Sequence, residues 1–397
     1  MSVLSSLRVL DFSTLLPGPF ASMHLADMGA DVLRVEAPGR PDMVRMRPPF
    51  DGGVSAGHAY LNRSKRSIAL DMKKPNAADV VRRLIHTYDI VLEQFRPGVM
   101  DRLGIGYEAL SSENPGVIYC ALTGYGQNGP MRDRAGHDNN YLSLAGVMSV
   151  SGRRGQGPSP QGVQIADIGG GSLCAIAGIL AAVIHRNHTG EGQFVDVSMF
   201  DGALSWNCQA SPAYLVGGIV PGFETQGLNG GTHYDYYRTK DGRYLSVGSL
   251  EPKFWMEFCE VIGHPEIIPR LAEPGPEMDS VKVIIRAAIE KQDFAEWRAL
   301  FAKADCCVEP VLNIDEAVAH PQTAARSMVV DVPKPDGTMQ KQIGSPFKFS
   351  KAQPRFKHIG AKLGEHTAQV LKEAGFAESE ITGLREQGVF GDVLDKA

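Results

Sequence analysis

The stretch RVLDFSTLLPGPFASMHLADMGADVLRVE (8–36) decides the fold class. Its first six residues form the short apolar run of a buried strand. LLPGP (15–19) follows, where proline is tolerated at a helix start. Residues 20–28 carry apolar side chains at helical spacing as far as Gly29, and DVLRVE (31–36) reads as a second strand. A β-α-β opening of about 30 residues begins an α/β domain of the nucleotide-binding type. Glu36 ends the second strand, where an acid binding a dinucleotide's ribose would stand. Yet the turn is LLPGPF, without the glycines that let backbone approach a pyrophosphate, so NAD and FAD are not expected.

Working outward, further α/β units follow: a helix over 77–86, strands over 90–93, 116–122 and 194–197, and a long apolar helix over 169–186. Residues 124–136 read as a loop, and SGRRGQGPSPQG (151–162) as a candidate flexible lid. After Leu215 the composition changes. Six glycines lie within 217–231, ahead of a hairpin expected around Lys240-Asp241-Gly242. Residues 254–301 are mainly helical, 332–353 form a short β segment turning at Asp336-Gly337, and 364–387 close the chain with two helices. A second, smaller α+β domain on a glycine-rich tether is the reading.

The 397 residues suit two or three domains, and 43% hydrophobic with 21% charged residues is ordinary for a globular chain. A formal net charge of -5 argues against a general nucleic-acid binder. Six cysteines without a CxxC pair point to reduced thiols and a cytoplasmic location. Cys306 and Cys307 are expected to be one buried and one partly exposed side chain. No secretory signal is expected at MSVLSSLRVLDF. The most apolar stretch, residues 174–184, is short of the ~20 a membrane span needs, so a buried helix is the expectation and no membrane partner.

Three stretches set an acid or base beside glycines or a helix start: GHDNNY (136–141), ADIGGGS (166–172) and GSLEP (248–252). Each has a plainer account. Asp167 could be an N-cap, His137 a partly buried structural histidine and Glu251 a first-turn acid. Taken with the rest of the chain, they become specific. The sequence resembles the α-methylacyl-CoA racemases within the class III CoA-transferase family. The resemblance runs through 8–36, RSIALDMK (66–73), QFRPGVMDRLGIG (94–106), LTGYGQNGP (122–130) and GHDNNYLSLAG (136–146). It continues through ADIGGGS, GQFVDVSMFDG (192–202), DGRYLSVGSLEPKFW (241–255) and GEHTAQVLKEAGF (364–376).

The resemblance implies that His137 and Asp167 are two opposed bases and that Glu251 pairs with the histidine. It also implies that the backbone N–H of Asp138 stabilises an enolate oxygen. Inverting a carbon α to a thioester needs one group to take a proton from one face and another to return one to the opposite face. Leu70, Met72, Lys73, Gln94, Arg96, Arg102 and Tyr141 match the family's CoA contacts. CoA is then part of the acyl-CoA substrate, and no separate cofactor or metal is implied. Where some relatives carry an arginine after the second strand this chain has Ala37, which leaves Arg34 or Arg40 as the substitute.

In the family's transferases the aspartate matching Asp167 is instead a nucleophile, so CoA transfer between carboxylic acids is the alternative; a non-catalytic CoA-thioester binder is the third reading. The histidine in GHDNNYLSLAG favours the racemase. The resemblance further implies a Rossmann-like large domain built from both chain ends (1–200 and 325–397). A linker (201–224) and a small domain (225–324) would complete the chain. It implies an interlocked homodimer too, in which Glu251 reaches the site from the other subunit. Met23, Met28, Met72, Met148 and Met199 are expected mostly to fill the core, with an acyl-lining role as the other possibility.

Overall fold

The computed structural model describes residues 2–391, so Met1 and residues 392–397 of the expected large domain lie outside the described residues. The large sheet has six strands: β1 (Arg8–Asp11), β2 (Asp31–Glu36), β3 (Arg66–Ala69), β4 (Ile90–Glu93), β5 (Ile118–Thr123) and β6 (Phe194–Ser198). Their order is β6-β5-β4-β1-β2-β3, and every pairing is parallel. This is the doubly wound Rossmann order. The chain runs outward from β1 to β3, then restarts at β4 on the other side of β1, with Leu10 opposite Val91 and Asp11 opposite Leu92. Strands covered on both faces must be apolar throughout, and Val9, Leu10, Ile90, Val91 and Leu92 are fully buried.

The turn after β1 is held by charge. Leu15 takes a left-handed conformation (φ 63°), unusual for a residue with a Cβ, and its N–H donates to Asp42 Oδ2 at 2.9 Å. Proline then opens helix α1 (Pro17–Asp27). Beneath the turn, buried Arg34 pairs with Glu36 and Asp42, buried Lys65 pairs with Asp11, and Asn62 Oδ1 joins the two groups by accepting from both cations. Arg34 therefore does not substitute for the arginine missing at Ala37. Its guanidinium is committed to Glu36, Asp42 and Asn62, whereas Arg40 is exposed. Glu36 is likewise occupied by Arg34 and Arg45. Burial would raise its pKa, but those cations hold it down at about 2.

The chain's C-terminal part completes the same unit. Thr367 Oγ1 accepts from the Ala69 N–H (3.1 Å), and Leu371, Val389 and Phe390 enter the core formed by Ile68, Val80 and Leu84. The hairpin Val329–Pro333 with Met339–Ile343 belongs here too. Among the described residues this first unit comprises 2–141, 163–203 and 321–391.

The second unit comprises residues 142–162 and 204–320. Its antiparallel sheet joins β7 (Asp235–Arg238), β8 (Tyr244–Val247) and β9 (Val308–Pro310), and its core is built on Trp255, Phe258, Val281, Ile285 and Trp297. Two expectations are corrected. Residues 201–224 are not a plain linker, since they contain most of the helix Met199–Ser205 and all of Ala210–Gly217. The expected lid is a short hairpin, Gly152–Arg153 with Gly157–Pro158, fastened within the second unit. Arg153 pairs with Glu224 and Asp235, and Arg154 with Asp279. Cys306 is buried and Cys307 exposed.

The apolar helix is longer than its sequence suggested. Ala166–Thr189 is continuous over 24 residues and contains an 18-residue window of mean hydropathy 1.9, long and apolar enough by length and composition to cross a membrane. It begins as a π-helix (Ala166–Leu173) and continues as helix α3 (Cys174–Thr189). Its buried residues, among them Ala175, Ile176 and Ile179, serve the first unit, where it packs on α1, β5 and β6. Met23, Met28 and Met199 are buried as core.

Candidate active site

His137 ends the loop that leaves β5 and stands exposed immediately before the helix Asp138–Leu144, here α2. Asn140 caps this start, its Oδ1 accepting from the His137 N–H at 3.0 Å, while the His137 carbonyl accepts from the N–H groups of Asn140 and Tyr141. Tyr141 is buried, and its hydroxyl donates to the Gly136 carbonyl at 2.6 Å. Its ring packs so closely that a Cβ on Gly124 or Gly136 would come within 2.6 or 2.7 Å of it. The Tyr141 side chain thus shapes the loop that presents His137.

Asp167 lies inside the π-helical turn rather than capping the helix, because helical backbone already begins before it. π-turns are uncommon and occur often at functional sites. Both of its backbone polar groups are engaged. The N–H donates to Asp138 Oδ1 at 3.0 Å, and the carbonyl lies 3.1 Å from Ser172 Oγ, which is also 2.6 Å from the Pro17 carbonyl. Burial and then the Asp138 charge push the Asp167 pKa up to about 6, and His137 acts in the opposite direction. His137, Asp138 and Asp167 are therefore brought together within the first unit.

Gly170 of ADIGGGS allows a close backbone approach. A Cβ on Gly202 would fall 2.4 Å from Gly170 Cα, and one on Gly170 would fall 2.9 Å from the Met199 carbonyl. The π-turn is seated directly on the backbone of the helix Met199–Ser205. Gly202→Ala is expected to push the turn away and lower turnover by ~10²-fold, since ångström misplacements cost that much. Steady-state kinetics alongside a melting curve would check that the loss of turnover exceeds any loss of folded protein.

Of the residues matched to CoA contacts, Tyr141 lies on α2 and the other six lie beyond the carboxyl ends of β3 and β4, where open α/β sheets bind ligands. Leu70 has its side chain in the core, so any ligand contact it makes is through the main chain. Met72 is half-buried, and Lys73 is exposed with its N–H held by Asp71. Gln94 Oε1 accepts from the Gly18 N–H at 3.0 Å, tying the β4 end to the start of α1 across the switch point. Arg96 and Arg102 are exposed on either side of Gly98, which is left-handed (φ 76°) before the helical turn Val99–Arg102. Arg132, in a loop with no motif to mark it, joins this group. Its Nη2 and the Arg102 Nη1 flank the Gly98 Cβ position, at 3.6 and 3.4 Å from it.

Glu251 belongs to the second unit. It is exposed at the N-cap of the helix Pro252–Val261, and its carbonyl accepts from the Trp255 N–H. Among the described residues, no group of three or more His, Cys, Asp or Glu side chains is arranged to hold a metal.

Comparison with known proteins gives a consistent picture. Residues 4–367 match the description CoA-transferase family III. The chain is 36% identical to an α-methylacyl-CoA racemase of Mus musculus, over 98% of this chain and 97% of that protein. It is 34% identical to a succinate–glutarate CoA-transferase of Agrobacterium fabrum, over 96% and 97%. A crystal structure of a CAIB/BAIF family protein from Brucella suis superposes with a TM-score of 0.81 at 29% identity, covering 94% of this chain and 99% of that one.

Proposed function

Since the chain belongs to CoA-transferase family III, we propose that it inverts the α-carbon of 2-methylacyl-CoA thioesters by proton transfer through an enolate. The observation that supports this reading is the meeting of an imidazole and a carboxyl group, His137 and Asp167, joined through the Asp138–Asp167 hydrogen bond. A relative that only transfers CoA needs the carboxylate alone as nucleophile.

In one direction the Asp167 carboxylate takes the α-proton, leaving an enolate whose oxygen faces the Asp138 N–H. The protonated His137 ring then delivers its proton to the opposite face. In the other direction His137 takes the proton and the Asp167 carboxylic acid returns one. Lys73, Arg96, Arg102 and Arg132 supply cations for the phosphates of CoA, beside the main chain at Leu70. Alpha-hydrogen removal by Asp167 requires its ionised form. With a pKa of about 6, exchange from the epimer it serves should fall as pH drops through that value, which a pH series of initial exchange rates would check.

Glu251, in this reading, is contributed by a second copy of the chain and supports the imidazolium. The exposed apolar side chains of Leu173, Ile184, Leu215, Val216 and Val220 support such an assembly. Activity is accordingly expected to follow the dimer in size-exclusion chromatography, with a strict monomer inactive.

The proposal is tested by giving the protein either pure epimer of a 2-methylacyl-CoA with no acceptor acid present. Both should drift to an even mixture. Epimers left unchanged, together with an acyl or CoA adduct trapped on Asp167, would replace it with CoA transfer.

A further inference from the structure

The two proposed bases are linked through a residue adjacent to one of them. Asp138 follows His137 in the chain, and its carboxylate accepts the backbone N–H of Asp167, 29 positions away, at 3.0 Å. One side chain therefore sets the spacing between the loop carrying the imidazole and the π-turn carrying the carboxyl group. Ser172 secures the peptide that follows, with its hydroxyl 3.1 Å from the Asp167 carbonyl. Asp138 is itself buried, at 9% exposure. We propose that the Asp138 side chain is a positioning group with two effects: it fixes the Asp167 peptide relative to His137, and it keeps a second negative charge beside the Asp167 carboxyl. This rests on the racemase reading and extends it, since that reading uses only the Asp138 backbone.

The charge has a chemical purpose. A reversible transfer between two faces of one carbon works best when both bases hold a proton with similar strength. An unperturbed carboxyl group holds its proton much less tightly than an imidazole, about pKa 4 against 6.5. Partial burial of Asp167 narrows the gap, the Asp138 anion narrows it further, and the His137 charge opposes them; Tyr141, the other titratable group facing Asp167, holds its hydroxyl toward Gly136. An asparagine at 138 keeps an oxygen to accept the Asp167 N–H and loses the charge. An alanine loses both.

The test compares wild type, Asp138→Asn and Asp138→Ala. The Asp167 carboxyl is titrated by carbon NMR of aspartate-labelled protein, with Asp167→Asn assigning the signal, and the pH dependence of α-hydrogen exchange is followed in parallel. In Asp138→Asn the Asp167 titration and the acid limb of exchange should move together to lower pH. In Asp138→Ala, kcat should also fall by ~10²-fold, the cost of a misplaced group, with KM nearly unchanged. An Asp138→Asn titration that overlays wild type, or an Asp138→Ala variant with wild-type kcat, would overturn the proposal. The titration needs no turnover. A protein that exchanges no α-hydrogen would sink the racemase reading while the carboxyl titration still decided the role of Asp138.

Discussion

Replacing His137 with glutamine, or Asp167 with asparagine, should lower epimer interconversion by about 10²- to 10⁴-fold, the usual contribution of a positioned acid or base. The two variants should fail differently. Without His137, the epimer whose α-hydrogen faces Asp167 still loses it to solvent, because the Asp167 carboxylate takes and returns the proton on its own face. Without Asp167, only the other epimer exchanges. Each variant therefore becomes an exchange catalyst for one epimer and inverts neither. Proton NMR of each pure epimer in D2O would check this. Loss of both exchanges in both variants would mean that the two groups do not act on opposite faces.

The second large effect falls on stability. Arg63 is fully buried, donates through Nε and Nη2 to the two Asp27 oxygens at 3.0 and 2.7 Å, and through Nη1 to the Ile343 carbonyl at 2.6 Å. It lies over the rings of Tyr60 and Phe356. Arg63 thereby ties α1 to the C-terminal hairpin. Arg63→Ala strands the Asp27 carboxylate without a cation, and breaking such a pair costs about 3–5 kcal/mol. Burial raises the Asp27 pKa by more than the Arg63 bonds lower it. The intact pair is therefore not a net stabiliser, although removing half of it is costly. Chemical denaturation should show Arg63→Met with Asp27→Asn recovering much of what Arg63→Met alone loses. A double variant as unstable as the sum of the singles would assign the loss to packing.

The first half of the fold was legible because its physics is local. Strands of a parallel sheet buried on both faces are short apolar runs, and RVLDFS, DVLRVE and the residues around Ile90 and Ile118 carry that pattern. The hairpin at Lys240-Asp241-Gly242 was legible for the same reason, since the turn and its flanking strands lie side by side in sequence. The misreadings share one cause: the deciding partner is distant. Arg34 read as a free cation because nothing near it reveals that Asp42 and Asn62 close over it. The stretch 151–162 read as a loose lid because the acids fastening its arginines lie at 224, 235 and 279. The glycines at 169–171 read as a helix start, whereas they lie inside a π-turn seated on Gly202. Within the candidate site, His137 and Asp167 could be named from the resemblance. The Asp138 carboxylate, Ser172 and Arg132 could not, because their roles depend on contacts that exist only after folding.

Solvent deuterium gives the most direct test. The wild-type protein is incubated in D2O with each pure epimer of a 2-methylacyl-CoA, and label at the α-carbon is followed by mass spectrometry. Opposed His137 and Asp167 bases predict one deuterium entering from either starting epimer as the two converge on an even mixture. Conversion or CoA transfer that leaves the α-hydrogen in place would contradict the account.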